Sequence, residues 1–223
     1  DGESFNLSGF GSQSPNNISY DDVSGNRISI PQLGLALKAA SAKAGQKIDI
    51  YGSDACLMAM AEIGTELAPY VNTMVGSEEI EPLDGWPYHD FFTQWFANPA
   101  ANDHEIGQML ADTYIESYAC GYRGLTFSVT DLTQMDAFNL AFIDFATMLQ
   151  EVSSNKNPSF AKAILQSAKS AESYEAHTDY VDLMGFVTNL ERSTINVAND
   201  SRLQALKQAF SKSVVYNKSF KKN

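Results

Sequence analysis

Cysteine is scarce in this chain of 223 residues, which contains only Cys56 and Cys120. Two cysteines are too few for a disulfide scaffold, and they do not have the spacing of a metal-ligand motif. Either they form one bridge with each other, or one of them has a chemical function. Long hydrophobic runs are also missing, because every apolar stretch is short and interrupted by charge. The sequence therefore predicts no membrane span.

Positive charge is in short supply as well. The chain has 15 Lys and Arg against 27 Asp and Glu, which gives a formal net charge of −12. This negative charge repels the phosphate backbone of nucleic acid and favours basic partners or substrates. We therefore expect no nucleic-acid ligand. The hydrophobic fraction of 44% is that of a globular protein, and the length is sufficient for one sizeable core.

The amino terminus shows neither an initiator Met nor a signal segment, since the sequence opens with Asp1. We expect either the mature form of a secreted protein or a fragment made by internal proteolysis. At the other end, residues 218–223 are polar and basic, and we expect them to form a flexible or cleaved tail.

Helical and strand-like segments alternate over the first part of the chain. Pro31 opens a predicted helix that ends at Gly45. Further helices are predicted at residues 57–67, 88–97 and 103–119, and strands at residues 47–51, 73–77 and 124–129. This alternation predicts an α/β fold with a mostly parallel sheet flanked by helices. From Leu132 onward the periodicity is helical almost throughout. We therefore predict a core of residues 1–130 and a helical C-terminal extension of residues 131–223 within the same unit.

Cys56 lies between a predicted strand and a predicted helix. Ligands of parallel sheets gather at such positions, beyond the carboxyl ends of the strands. The amino end of the following helix would favour a thiolate, and its N–H groups could bind an oxyanion. A buried, inert cysteine packed under the sheet is the alternative interpretation, and position alone does not decide between the two.

The sequence around this cysteine resembles the nucleophile segment of the clostripain-like cysteine peptidases, which are relatives of the caspases. The resemblance covers roughly residues 18 to 190, and its most specific motifs are Asp-Ala-Cys-Leu-Met and Asp-Gly-Trp-Pro-Tyr. The matching segments are residues 47–58, 75–79 and 82–88 and, more loosely, residues 180–183. The resemblance implies a caspase-like fold in which Cys56 is the nucleophile of a Cys–His dyad.

The histidine of this dyad has no counterpart here. The family presents it in a His-Gly turn that precedes the cysteine, whereas His89, His104 and His177 all follow Cys56 and none is followed by Gly. The resemblance implies a precursor that is cleaved between the histidine and the cysteine. We therefore expect an upstream chain of the same precursor to supply the histidine and to complete the sheet, with Asp1 as the new amino terminus. A secreted, autoprocessed bacterial zymogen is the corresponding expectation.

Two acids match positions that line the primary specificity pocket of family members cutting after Arg or Lys. They are Asp54, two residues before Cys56, and Asp84, in the Asp-Gly-Trp-Pro-Tyr segment. A buried cation needs a partnered carboxylate, which agrees with this assignment. The simpler alternatives are a turn or helix cap for Asp54 and an Asp-Gly turn for Asp84. Nearby, Glu78, Glu79 and Glu81 are expected to form a solvated acidic rim.

These observations predict a cysteine endopeptidase that cleaves after Arg or Lys through an acyl-enzyme on Cys56. One alternative is a catalytically inactive caspase-like binding module with an acidic pocket. A second is a non-proteolytic thiol hydrolase, which would not need two pocket acids. The proposed chemistry requires no cofactor. Some relatives use calcium, and the acidic pairs Asp21-Asp22 and Glu78-Glu79 could bind it. Because they show no calcium-ligand pattern, we assign no metal site.

Overall fold

The computed structural model describes residues 17–21, 23–119, 121, 124–154, 158–174 and 180–220. The described part contains six strands, eight α-helices and a short 3₁₀ turn. The strands are β1 (Asn17–Tyr20), β2 (Arg27–Ser29), β3 (Ile48–Gly52), β4 (Val71–Gly76), β5 (Leu125–Asp131) and β6 (Val214–Phe220). The helices are α1 (Ile30–Ala44), α2 (Ala61–Leu67), α3 (Tyr88–Ala97), α4 (Asp103–Tyr118), α5 (Met135–Ser153), α6 (Pro158–Lys169), α7 (Leu183–Glu191) and α8 (Ser201–Ser213). No helix among these described residues is both long and apolar enough to cross a bilayer.

Helices α1, α3 and α4 occur where the sequence predicts them, within one residue at each end. Helix α1 shows why its bounds are readable from the sequence. Ser29 and Gln32 form a capping box at its amino end, and Gly45 closes its carboxyl end with φ of 72°. Both signals are local, because a cap depends on a few consecutive residues.

The main sheet has the strand order β3-β4-β5-β6, and β1 and β2 form a separate antiparallel pair. Strand β3 runs parallel to β4, but the β4–β5 and β5–β6 pairs are antiparallel. The expectation of a mostly parallel sheet is therefore corrected to a mixed sheet within the described residues. The reason lies in the β4–β5 connection, which contains the two helices α3 and α4. Two successive helices bring the chain back to the end of the sheet that it left, whereas one crossover helix would have returned it to the opposite end.

The C-terminal part is not wholly helical, since β6 adds a strand to the same sheet. Residues 218–220, which we expected to lie in a flexible tail, pair with β5 instead, and residues 221–223 lie outside the described part. The Tyr216 hydroxyl and the Lys218 Nζ donate to Asp112 Oδ1 on α4 at 2.6 and 2.7 Å. These contacts hold β6 in place, so its polar side chains belong to a paired strand.

Two hydrophobic clusters cover the two faces of the sheet. On β4, Met74 belongs to one cluster and Val75 to the other, as expected for alternate residues of a strand. The larger cluster joins β4 to α2, α5, α7 and α8, and the smaller one joins β4 and β5 to α3 and α4. The site described next lies at the end of β3 and β4, beside the smaller cluster.

Candidate active site

The candidate site is built from the two loops that follow β3 and β4. These strands are parallel and Gly52 lies opposite Val75, so both loops emerge at the same end of the sheet. The Ser53 N–H donates to the Val75 carbonyl at 3.2 Å, and the Ala59 N–H donates to the Ser77 carbonyl at 2.9 Å. The cysteine loop is therefore held alongside the start of the acidic loop, residues 77–87.

Cys56 lies in a turn and not at the start of a helix, because α2 begins only at Ala61. The predicted helix of residues 57–67 is thus shorter than expected, and since a helix dipole fades within its first turn it contributes little at this thiol. The half-buried Cys56 Sγ instead accepts the backbone N–H of Glu81 at 3.3 Å. A donor in this position favours the thiolate. The next residue, Leu57, has φ of 63°, a strained conformation that is common at functional sites.

The Asp54 carboxylate is directed at the loop that contains the second predicted pocket acid. Its Oδ2 accepts the Trp86 N–H at 3.1 Å and the Tyr88 hydroxyl at 2.8 Å. Gly85 has φ of 71°, and a Cβ at this residue would come within 2.9 Å of Asp54 Oδ2. Glycine is therefore required here for both its backbone conformation and its lack of a side chain. The carboxylate and this loop fit closely together.

Asp84 occupies a turn in which the Gly85 N–H donates to the Pro82 carbonyl at 3.0 Å, and its side chain is exposed. Its backbone is next to Gly85, so the structure brings the Asp84 segment beside Asp54. The geometry accommodates the simple turn role as well as the pocket role. The assignments of Cys56, Asp54 and Asp84 stay predictions.

Glu81 contradicts the expected solvated rim, because only 6% of it is exposed. Its Oε2 accepts the Trp86 Nε1–H at 3.1 Å, while its backbone N–H contacts Cys56. Burial, together with the neighbouring Asp54 carboxylate, raises the pKa of Glu81 to about 8. The sequence offered no sign of this role, since loop residues follow no periodicity. The only signal was its position immediately before the Pro82–Tyr88 motif.

Trp86 fixes this loop onto the sheet. Its side chain is 8% exposed and meets Phe127 edge to face, with ring centroids 5.4 Å apart. A Cβ on Gly52 would lie 3.1 Å from the Trp86 ring, so the indole covers the end of β3. The Tyr118 hydroxyl donates to the Gly85 carbonyl at 2.5 Å. The acidic loop is therefore supported by β3, β5 and α4.

Glu78 also departs from the expected solvated rim. Its Oε2 accepts the Tyr174 hydroxyl at 3.2 Å, and burial, with a further contribution from Asp182, raises the pKa of Glu78 to about 7. Glu78, Tyr174 and Asp182 line a cavity of about 220 Å³ together with apolar residues such as Phe142. This cavity includes none of the three predicted site residues, so we do not assign the predicted chemistry to it.

The remaining candidates from the sequence are placed as follows. His89 is exposed in the first turn of α3, and His104 is half-buried in the first turn of α4. His177, Cys120 and Asp22 lie outside the described residues. Within the described ranges, no group of three or more His, Cys, Asp or Glu side chains is arranged to hold a metal ion. The absence of a cofactor requirement stays a prediction.

Comparisons with known proteins identify the family and the fold of this chain. The sequence model of the clostripain family matches residues 6–223. The chain therefore belongs to the clostripain family of cysteine proteases. No curated protein sequence matches it.

Several solved structures share its fold. A cysteine protease from B. fragilis is 20% identical with a TM-score of 0.63, and the match covers 90% of this chain and 78% of that one. A clostripain from Bacteroides thetaiotaomicron, in complex with the peptide inhibitor BTN-VLTK-AOMK, is 16% identical with a TM-score of 0.62 and the same coverage. A secreted cysteine protease from Bacteroides thetaiotaomicron, bound to an irreversible peptide inhibitor, is 22% identical with a TM-score of 0.64; the match covers 89% of this chain but 51% of that one. These likenesses confirm the caspase-like fold.

The raised pKa of Glu81 predicts a pH dependence of stability. The folded state retains this proton up to about pH 8, whereas an unfolded glutamate loses it near its ordinary pKa of 4.5. Stability should therefore fall as the pH rises from 5 to 8. Glu81→Gln cannot ionise at this position. Between pH 5 and 8 its free energy of unfolding, measured by urea denaturation, should therefore fall by about 1 to 3 kcal/mol less than that of the wild type.

Two features make this measurement decisive. The residual dependence of Glu81→Gln should come partly from Glu78, whose pKa is also raised. Glu62→Gln, at an exposed position on α2, is the matched control and should follow the wild-type curve. Parallel curves for wild type and Glu81→Gln would contradict the assignment of a buried proton to Glu81.

Proposed function

We propose that this protein is a cysteine endopeptidase that cleaves peptide bonds after Arg or Lys through an acyl-enzyme on Cys56. The observation that carries the proposal is the position of Asp54. Its carboxylate is held by the Trp86 N–H and the Tyr88 hydroxyl, two residues from a thiol that accepts a backbone N–H. A nucleophile and an anionic side-chain site are thus adjacent on one rigid loop, which is what cleavage next to a cationic residue requires.

The specificity follows from charge. Asp54 and Asp84 would face the guanidinium or ammonium of the residue preceding the cut, and a desolvated cation is stabilised by partnered carboxylates. The peptide inhibitor of the similar clostripain, BTN-VLTK-AOMK, ends its peptide sequence in lysine. This supports a basic residue at the same position in substrates of this chain.

The reaction would proceed in two stages. The Cys56 thiolate attacks the scissile carbonyl carbon, forming a C–S bond, and backbone N–H groups including that of Cys56 stabilise the oxyanion. An imidazolium protonates the leaving amine as the C–N bond breaks, which leaves a thioester. The imidazole then removes a proton from water, whose oxygen attacks the thioester, and the thiolate is released with the carboxylic acid product.

The histidine for these steps would come from an upstream chain of the same precursor. In the described sheet β3 is an edge strand, and the backbone of an edge strand can pair with a further strand. The upstream chain would occupy this edge and place its histidine near Cys56. Without such a histidine anywhere in the gene, the alternative of an inactive binding module with an acidic pocket would be favoured. Secretion of the protein is proposed from the similar protease that is described as secreted.

Cys56 should be the essential thiol. Cys56→Ala should abolish peptide hydrolysis, measured with a fluorogenic Arg or Lys substrate, because Cys56 is the thiol proposed to form the thioester. Thermal unfolding should change little, since alanine is no larger than cysteine. Cys120→Ser is the matched control and should retain activity. A disulfide between the two cysteines, or equal loss of activity in both variants, would contradict the assignment.

The acidic pocket predicts a selective loss in Asp84→Asn. Its kcat/KM on Arg or Lys substrates should fall roughly thirtyfold or more, which corresponds to a loss of about 2 to 4 kcal/mol of transition-state stabilisation. Its kcat/KM on Gln or norleucine substrates should change little. Asp54→Asn should lose more, because its neighbour is the nucleophile. Asp90→Asn is the control, as an exposed carboxylate in the first turn of α3. An unchanged ratio in Asp84→Asn, or a wild-type preference for Asp or Asn, would refute the basic pocket.

The upstream partner predicts two polypeptides in the native enzyme. Denaturing electrophoresis should show two bands, and sequencing of the intact gene product should find Arg or Lys at the cleavage site between the histidine and Cys56. The precursor of Cys56→Ala should remain one chain, because it cannot process itself. Activity of the Asp1–Asn223 chain by itself would disprove the need for a partner.

A further inference from the structure

Glu81 has a buried carboxyl that the proposed mechanism does not use. Its side chain is more than nine-tenths buried, and among the described residues its Oε1 contacts no hydrogen-bond donor. Trp86 links this carboxyl to Asp54, because its indole Nε1–H donates to Glu81 Oε2 and its backbone N–H donates to Asp54 Oδ2, each at 3.1 Å. A buried carboxyl near a second acid is stabilised in its protonated form. Glu81 is therefore the acid that holds a proton in the absence of a cation.

The surroundings assign the proton to Glu81. Asp54 is exposed, and its Oδ2 accepts two hydrogen bonds, from the Trp86 N–H and the Tyr88 hydroxyl. Glu81 accepts one, from the Trp86 Nε1–H, and is more deeply buried. Burial is the largest of the effects that raise the pKa of Glu81 to about 8, and the neighbouring Asp54 adds to it.

The other titratable groups that face Glu81 in the described part of the chain are Cys56, Tyr88 and Tyr114. Tyr88 and Tyr114 are kept neutral, since burial and nearby acids raise the pKa of Tyr88 to about 12 and that of Tyr114 further. The Tyr114 hydroxyl is also buried without a hydrogen-bond partner among the described residues. Within these residues no cation faces the Glu81 carboxyl. A positive charge brought by a substrate would therefore act strongly on it.

We propose that Glu81 is a third acid of the specificity pocket, protonated in the free protein, which releases its proton to solvent when a cationic side chain pairs with Asp54. This inference rests on the proposed function. The positive charge of the bound side chain offsets the Asp54 carboxylate and stabilises the ionised form of Glu81. The negative charge of the pocket thus follows its ligand. Glu81 is neutral while the pocket is empty and becomes an additional carboxylate when Arg or Lys is bound.

Because the proton is released on binding, the preference of the enzyme for a cationic over a neutral residue before the cut should depend on pH. The experiment measures kcat/KM of the processed enzyme from pH 5.5 to 8.5 on peptides that differ only in the residue before the cut. Arginine is compared with its neutral analogue citrulline, and lysine with norleucine. The ratio within each pair cancels the titrations of Cys56 and its histidine, because both substrates use the same catalytic groups. The wild-type ratio should rise about tenfold between pH 6 and 8 and level off above it.

Three variants test the identity of the titrating group. Glu81→Gln keeps an acceptor for the Trp86 Nε1–H but cannot ionise, so its ratio should be independent of pH. Glu81→Asp keeps an ionisable carboxyl and should retain a rising ratio. Glu62→Gln, exposed on α2, should match the wild type.

The outcomes separate this inference from the proposed function. If the enzyme prefers the cationic residue by a factor that does not change with pH, the basic pocket stands and the role of Glu81 is wrong. A rising ratio that persists in Glu81→Gln also overturns it, because another group then titrates. If the wild type shows no preference for Arg over citrulline or Lys over norleucine at any pH, the proposed function and this inference both fail. Should Glu81→Gln not fold, the wild-type and Glu81→Asp profiles still decide, since a flat wild-type ratio refutes the inference.

Discussion

The parallel pairing of β3 with β4 is the constraint on which the site depends. It brings the loop after Gly52 and the loop after Gly76 out of the sheet side by side, so residues about 25 positions apart in the chain come into contact. Neither loop has regular structure, and each is held by hydrogen bonds to the other. The Thr126 Oγ1 on the adjacent β5 accepts the N–H groups of Glu78 and Glu79 at 3.0 and 3.1 Å, which adds a third support. The residues around the Cys56 thiol are therefore positioned by the sheet and not by a helix terminus.

Buried acid is the second organising feature. A carboxylate removed from water is costly unless it is partnered, and a buried carboxyl commonly retains its proton instead. Asp54 stays exposed and is partnered by a backbone N–H and a tyrosine hydroxyl, whereas Glu81 is buried with one donor and keeps its proton. The two loops thus contribute one exposed and one buried acid, which differ in burial and in hydrogen bonds. Such a division suits the proposed cation pocket, which must be stable while empty and strongly negative when its ligand is bound.

Local signals in the sequence were sufficient for much of the fold. Capping residues and helical periodicity placed α1, α3 and α4, and the apolar strands placed β3, β4 and β5. The predicted parallel direction holds for β3 and β4 but is wrong for β5, because alternation of helices and strands does not reveal whether a connection crosses the sheet or returns. Strand β6 was missed for a related reason: its residues alternate between half-buried and exposed, and a polar strand looks like a tail until its partner is known.

For the candidate site, the sequence by itself determined which motifs are present: Asp-Ala-Cys at residues 54–56 and the Asp-Gly-Trp-Pro-Tyr segment, and with them the family. These are properties of consecutive residues. Only the tertiary structure decided that α2 starts too late to act on Cys56, that Asp54 is held by the second motif, and that Glu81 is buried and not part of a solvated rim. The physical reason is that the burial and protonation of a loop carboxyl depend on neighbours from distant parts of the chain, and no periodic pattern along the sequence records those neighbours.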